Sequence, residues 1–331
     1  MLRGAITICL AILAMPAGAA PCAPPPSPIV DIASNRFYID DKHSVIDPAL
    51  YEKRKAAIKP LEDFRAEIAR MASRALKGDR EAGLCVGSWL ATWAKGGALL
   101  GRMHTHQSDY ERKWALAAFA LSYHHARDFI GPEDRAEILP WFEKVAEVSS
   151  RFFDNPGRRR NNHYYWLGLA VGASGHLTGN KAHQAFMRAS FEAGLSEIAR
   201  EGDLPQETAR GIRALHYNNY ALVPLVMMAE IAALNGEDWY ARHNGALHRL
   251  AAFVLEGQRD PAPISAKAGG AQLPLEARAM SWLPFYERRF PERLSAYPAL
   301  RKAKLWAAPL GGDLNAAAAA WIRETPRPAT P

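Results

Sequence analysis

The chain has 331 residues, 49% hydrophobic and 23% charged, with a formal net charge of +7. Such a composition excludes a disordered or fibrous chain, and the length allows a large core in one domain or two. A basic balance without a nucleic-acid motif points to a polyanion other than DNA, or to solubility alone.

At the N-terminus Arg3 precedes the apolar run Ala5–Ala14, which closes on Met15-Pro16-Ala17-Gly18-Ala19-Ala20. A short positive region, a short apolar region and small terminal residues make a secretory signal over residues 1–19, with cleavage expected near Ala19 and a periplasmic destination. The run is too short to span a bilayer, so no membrane association is expected after cleavage. Cleavage removes Cys9 and leaves Cys22 and Cys85. In an oxidising compartment that even pair predicts one disulfide, with two separate buried thiols as the alternative.

Pro21–Pro28 reads as an extended tether opening an N-terminal segment, 20–46. Asp47-Pro48 then starts a helix, with an acid at the cap and proline at the first helical position. Leu61, Phe64, Ile68 and Met71 give it one buried face, and Pro60 predicts a kink or a split. Leu84, Trp89 and Trp93 mark the next helix, ended by Gly96-Gly97. A third carries Trp114, Leu116, Phe119 and Tyr123 and stops at Gly131-Pro132; Ile138, Trp141, Phe142, Val145 and Val148 mark a fourth. Helical patterns follow over 163–174, 181–200, 212–234 and 239–257, separated by Gly, Asn and Asp-Leu-Pro breaks. The stretch 258–275 reads as loop, two or three helices come next, and 325–331 reads as a disordered tail. The expectation is an all-α protein, one domain of antiparallel helical hairpins over 47–324. Pattern alone leaves toroid, solenoid and large bundle open.

Two stretches carry the chemistry. Asn161-Asn162-His163-Tyr164-Tyr165-Trp166 resembles the N-N-H-x-Y-W of the alginate lyase family, the poly(β-D-mannuronate) lyases. Arg213-Ala214-Leu215-His216-Tyr217-Asn218-Asn219-Tyr220-Ala221-Leu222 is similar to that family's R-A-L-x-Y-H-N-Y-A-L. Leu204-Pro205-Gln206-Glu207, Lys113-Trp114-Ala115-Leu116, Asn244-Gly245-Ala246-Leu247 and Leu310-Gly311-Gly312 add matches in family order. Ser44-Val45-Ile46-Asp47-Pro48 and the run from Arg158 look closer to a broader polyuronate branch. The resemblance implies a single-domain (α/α) toroid with a deep cleft, residues 20–46 covering it, and lyase chemistry with no cofactor and no metal. It implies an anionic polymer of mannuronate or glucuronate as partner.

β-Elimination on a 4-linked uronate removes the C5 proton and expels O4. It needs a neutralised carboxylate, a base and an acid. The resemblance puts Asn162, His163 and Arg213 around the carboxylate and gives Tyr220 the proton transfers. On one helix Arg213, His216, Tyr217 and Tyr220 share a stripe at i, i+3, i+4 and i+7. Tyr220 is favoured as both base and acid, with Arg213 expected to lower its pKa; His163 is the rival base. Arg160, Trp166, His216 and Tyr217 are candidate substrate-binding residues, Trp166 being equally a core residue. The family's N-terminal cleft lysine maps best to Lys42, with Asp41 in the competing register and Arg36 further off. Asn218 stands where the family often has His, which predicts altered pH dependence or local hydrogen bonding.

His104-x-His106 and His124-His125 lack the carboxylate or Cys partners of a metal set. Asp128, Glu143 and Glu207 show no spacing of a hydrolase pair. Two rivals stand beside the lyase: a non-catalytic polysaccharide-binding protein serving export, and a helical-toroid hydrolase. No exposed heptad seam is present, so a monomer is expected.

Overall fold

The structure, a computed structural model, describes residues 22–301 and 303–326. The secretory signal and all but the first two residues of the expected tail lie outside them. The helices are α1 Pro48–Ala75, α2 Arg80–Lys95, α3 His106–Ala126, α4 Pro132–Ser150, α5 Asn162–Thr178, α6 Lys181–Glu197, α7 Pro205–Thr208, α8 Ala214–Leu234, α9 Arg242–Arg259, α10 Ala262–Ala268, α11 Leu283–Arg289, α12 Pro298–Arg301 and α13 Leu314–Glu324. A two-stranded antiparallel hairpin, β1 Trp306–Ala307 with β2 Gly312–Asp313, precedes the last helix.

These helices form an (α/α) toroid. Along α3, α5 and α8 nearly every side chain is buried, so these helices stand inside the ring. By contrast α4, α6 and α9 bury one face and present the other to water, as outer helices do. Consecutive elements pair in this inner–outer sense: α2 with α3, α4 with α5, α5 with α6, α8 with α9. Close approach of α6 to α5 rests on Gly168 and Gly172, where a Cβ would run into Ser190 and Met187.

Local signals set the helix ends. Asp47 caps α1 by accepting from Leu50 N, with Pro48 behind it, and Asp79, Asn161, Asn180 and Asp313 cap α2, α5, α6 and α13 in the same way. Pro60 does not split α1, which runs unbroken from 48 to 75. Both Pro60 and Ala56 are exposed, so the carbonyl that loses its partner faces solvent and the helix continues. The expected loop 258–275 contains the short helix α10.

Residues 22–46 form a strap. A disulfide joins Cys22 to Cys85 on α2 across 63 residues of sequence. On the chain-entropy argument a loop of that length stabilises the fold by about 4 kcal/mol. The Trp89 and Trp93 indoles donate to the carbonyls of Ala23 and Pro26, and Ile32 pairs with Met103 in a parallel bridge. The strap ends in a hairpin in which Tyr38 bridges Ile46. Its turn is held by the Asp40 carboxylate, which accepts from Ser44 N, Ser44 Oγ and Val45 N.

Three imidazoles away from the cleft are held neutral. Burial pushes His125 down to about 3 and His176 and His248 down to about 4, from an ordinary 6.5. A depressed folded-state pKa gives stability that is complete above the unfolded value and lost as pH falls through the folded one. The melting temperature is therefore expected to drop by several degrees as pH is lowered from 6.5 toward 4. Replacing His125 by Gln should flatten that dependence in calorimetric scans across the same range.

Candidate active site

The N-terminal turns of α3, α5 and α8 reach the same end of the ring, and the strap hairpin lies across them. One cavity of about 420 Å³ is lined there by Tyr38, Trp114, His163, His216, Tyr217 and Tyr220, among others. A second, of about 510 Å³, is lined by Asp41, Phe152, Arg158, Arg159, Asn161 and Arg210. His43, Tyr110 and His163 belong to both walls, so the two form one continuous cleft. A third depression, between Glu287, Arg288 and Arg301, contains none of the motif residues.

His163 sits where the two cavities meet. Its ring stacks on Tyr110 with centroids 3.7 Å apart. Lys113 Nζ lies 3.0 Å from Nδ1 and donates to the His163 carbonyl, also at 3.0 Å. Burial, then Lys113, Arg210 and His43, hold the imidazole well below its ordinary pKa. It is neutral at physiological pH. His216 is pushed down to about 4 by burial and then by Arg213.

Tyr220 closes the other end, its ring tilted on Trp166 and parallel to His216. Burial raises its phenol well above the usual range, with Glu111, Tyr217 and Tyr38 adding to the effect and Arg54 opposing it. Arg54 comes from α1 and forks onto the buried Glu111 through Nε and Nη2, at 3.0 and 2.8 Å. The expectation that Arg213 lowers this phenol is overturned. Arg213 donates Nε to the Ser44 carbonyl at 2.9 Å, and the guanidinium opposing the rise is Arg54.

A buried carboxylate fixes the start of α5. Glu207 Oε1 accepts from both the backbone N and Nδ2 of Asn162, each at 2.9 Å, and its other oxygen lies 3.5 Å from Arg210 Nε. Arg210 stands over the Tyr217 ring and donates to the Lys42 carbonyl of the strap.

Comparison with known proteins agrees with this geometry. A family model described as alginate lyase matches residues 31–264. A polysaccharide lyase of Stenotrophomonas maltophilia is 45% identical over 95% of this chain and 96% of its own length. An alginate lyase of Azotobacter vinelandii is 34% identical over 77% of this chain and 72% of its own length. A variant of alginate lyase A1-III complexed with a tetrasaccharide superposes with a TM-score of 0.79 at 24% identity, covering 93% of this chain and 88% of that one. The chain belongs to the alginate lyase family. It is a polysaccharide lyase with the family's toroid.

Within this lyase, the residues expected from sequence fall into three groups. His163, His216, Tyr217 and Tyr220 line the cleft together. Asn162 and Arg213 stand just behind it, Asn162 fully buried on Glu207 and Arg213 bonded to the strap. Lys42, Arg160 and Trp166 line neither cavity. The Lys42 side chain is exposed, and Asp41 and Arg36 take the cleft positions. Arg160 lies over the Tyr164 ring, whereas Arg158, stacked 3.5 Å above Phe152, and Arg159 face the cleft. Trp166 is 4% exposed and donates to the Tyr220 carbonyl, so it packs beneath the site as core. Asn218 is also core: it accepts from Leu204 N and donates to Thr208 Oγ1 and the Ala214 carbonyl, so its difference from the family's His acts on local hydrogen bonding.

Tyr38, His43, Tyr110, Lys113 and Arg210 were missed. Lys113 stood in one of the supporting family matches, and Arg210 lies one helical turn after Glu207. Removing Glu207 would leave Arg210 and the Asn162 amide buried without their partner. E207A is expected to cost about 3–5 kcal/mol in denaturant unfolding, the range for breaking a buried ion pair from one side. Turnover should fall with it, measured at a temperature where the variant is folded.

Proposed function

We propose that this lyase cleaves a β-1,4-linked polymer of mannuronate or glucuronate by β-elimination. The observation that carries the reading is the pairing, in one cleft, of the Tyr220 phenol with the neutral His163 imidazole, flanked by guanidinium groups. Arg210 lines the cleft with His163, and the charge of Arg213 acts on His216 from behind it, so positive potential stands toward either end. Arg158 and Arg159 draw the polyanion in along the second cavity. Aromatic rings from Tyr38, Tyr110 and Trp114 face the apolar sides of the sugars.

In the reaction, Tyr220 first loses its phenolic proton to solvent; the C5 proton then passes to the phenolate oxygen and the C–H electrons form the C4=C5 double bond. The C4–O4 bond breaks, and O4 takes the proton back from the same phenol. Both positions lie on one side of the ring in mannuronate and glucuronate, so one group serves both steps. Negative charge grows on the carboxylate, where His163 and the guanidinium groups meet it. The products are a 4,5-unsaturated uronate at a new non-reducing end and a new reducing end. The Cys22–Cys85 disulfide supports export to an oxidising compartment, read here as the periplasm, and we take the working form to be a monomer.

Purified protein incubated with polymannuronate, polyguluronate, polyglucuronate or hyaluronan should raise ultraviolet absorbance with the first or third, because the product carries a conjugated C=C–COO⁻. Products without that absorbance would mean hydrolysis. Y220F is expected to lower kcat by about 10²–10⁴-fold, the usual worth of a general acid–base group, with KM changed little. Since burial keeps the phenol protonated and the first step needs the phenolate, kcat should rise as pH is raised above neutral. Retained activity in Y220F would transfer the base role to His163.

A further inference from the structure

We infer that Lys113 is a positioning residue for this elimination: its ammonium donates to His163 Nδ1 and holds the imidazole in the tautomer whose proton is on Nε2. The inference rests on the reading of the cleft given above and assigns His163 a donor role within it.

Lys113 is 2% exposed, on the inner helix α3 one turn after Tyr110. Its ammonium lies 4.2 Å from the Tyr110 ring centroid and 5.5 Å from that of Trp114. The neighbouring carboxylates are engaged elsewhere, Asp109 with Arg112 and Glu111 with Arg54. Among the described residues no carboxylate forms an ion pair with Lys113. A buried cation without a counter-charge destabilises a fold, so its stability contribution does not account for a lysine here. A methionine of similar length would fill the same space among those rings.

What the lysine does supply is direction. Nζ reaches two atoms, both on His163: the carbonyl oxygen and Nδ1. The carbonyl only accepts, so one N–H points there. An ammonium carries three N–H donors and no lone pair, so in that form a second N–H serves Nδ1. Nδ1 is then the acceptor, and the ring proton resides on Nε2. Among the described residues no protein group bonds Nε2, and the ring lines both halves of the cleft. A substrate carboxylate therefore meets an N–H there. The same tautomer has no free lone pair facing the sugar, so it cannot take the C5 proton, and Tyr220 is left to carry it. Lys113 also disfavours protonation of the imidazole by charge repulsion, which keeps the ring neutral.

The test is nitrogen-15 NMR of the full chain labelled at its histidine rings, with His163 assigned by its loss in H163Q. The wild type should show the proton on Nε2 and an unprotonated Nδ1. Lys113→Met should give mixed tautomers and lower kcat by about 10–100-fold, the loss found when an outer partner orienting a working group is removed. KM should change little. Lys113→Gln keeps an N–H donor and should restore both the tautomer and most of kcat. A wild-type proton on Nδ1 overturns the inference. So does a Met variant that loses turnover with its tautomer unchanged, which is what a merely structural role predicts. If the Met variant does not fold, the wild-type and Gln spectra decide. The spectra need no substrate, so absence of lyase activity on every polymer would sink the proposed reaction while leaving the tautomer assignment to be judged separately.

Discussion

Glu207, 1% exposed, ties the beginning of one inner helix to the approach of the next. Its carboxylate accepts from the backbone and side chain of Asn162 at the start of α5 and faces Arg210 in the turn before α8. Desolvation raises its pKa, and the charge of Arg210 with the two bonds from Asn162 opposes that rise. The consequences run outward from this knot. Once Asn162 is fixed, His163 follows on the next position of the same turn. Once Arg210 is fixed, α8 enters at an angle that sets Tyr217 against the strap and Tyr220 against Trp166. The groups of the cleft come from distant parts of the chain, and this knot joins the starts of two of the helices that carry them.

Burial governs the charge state as well as the geometry. Desolvation is the largest influence on four side chains of the cleft, and each moves toward its neutral form: His163 and His216 down, Tyr217 and Tyr220 up. Guanidinium groups hold their charge under the same conditions. The result is a floor of neutral aromatic and imidazole rings with fixed cations beside it. For a polymer with an apolar sugar face and one carboxylate per residue, that division suits both parts. The low dielectric strengthens each cation's action on charge that develops at the carboxylate. It also holds the Tyr220 phenol in its acid form, so the second proton transfer is favoured by the resting state and the first has to work against it.

The helices and their ends were largely readable in the chain because they rest on local signals: acids at N-caps, glycines at breaks and 3/4 spacing of apolar residues; their closure into a ring was implied only by the family resemblance. The stripe of His216, Tyr217 and Tyr220 was readable for the same reason, since one helix fixes its spacing, whereas Arg213 caps that helix in non-helical backbone and turns to the strap. Side chains from other helices were not. Lys113 has no local mark that separates it from a solvated lysine, because its partner is fifty positions away. Arg54 looks like one of several charges on an exposed face until α1 packs on α3 and Glu111 meets it. Loops misled for a related reason. Arg158, Arg159 and Arg160 are equivalent as sequence, and only the stacking of Arg158 on Phe152 decides which of them turn toward the cleft. The turn at Asp40–His43 likewise sends Asp41 and His43 inward and leaves the Lys42 side chain exposed.

The strap is part of the site's wall, and its attachments explain how an extended segment keeps a defined place. From Cys22 to Ile32 it runs beside α2 and the turn after it, with its carbonyls at Ala23, Pro26 and Ile29 accepting from Trp89, Trp93 and Leu99. At its far end Asp47 serves both as hairpin partner of Phe37 and as the cap of α1. Between these anchors the hairpin offers the carbonyls of Lys42, His43 and Ser44 to Arg210, Tyr217 and Arg213. The donors that hold the wall are thus the cations and phenol of the cleft itself, so the wall's position and the electrostatics of the site are set by the same few hydrogen bonds.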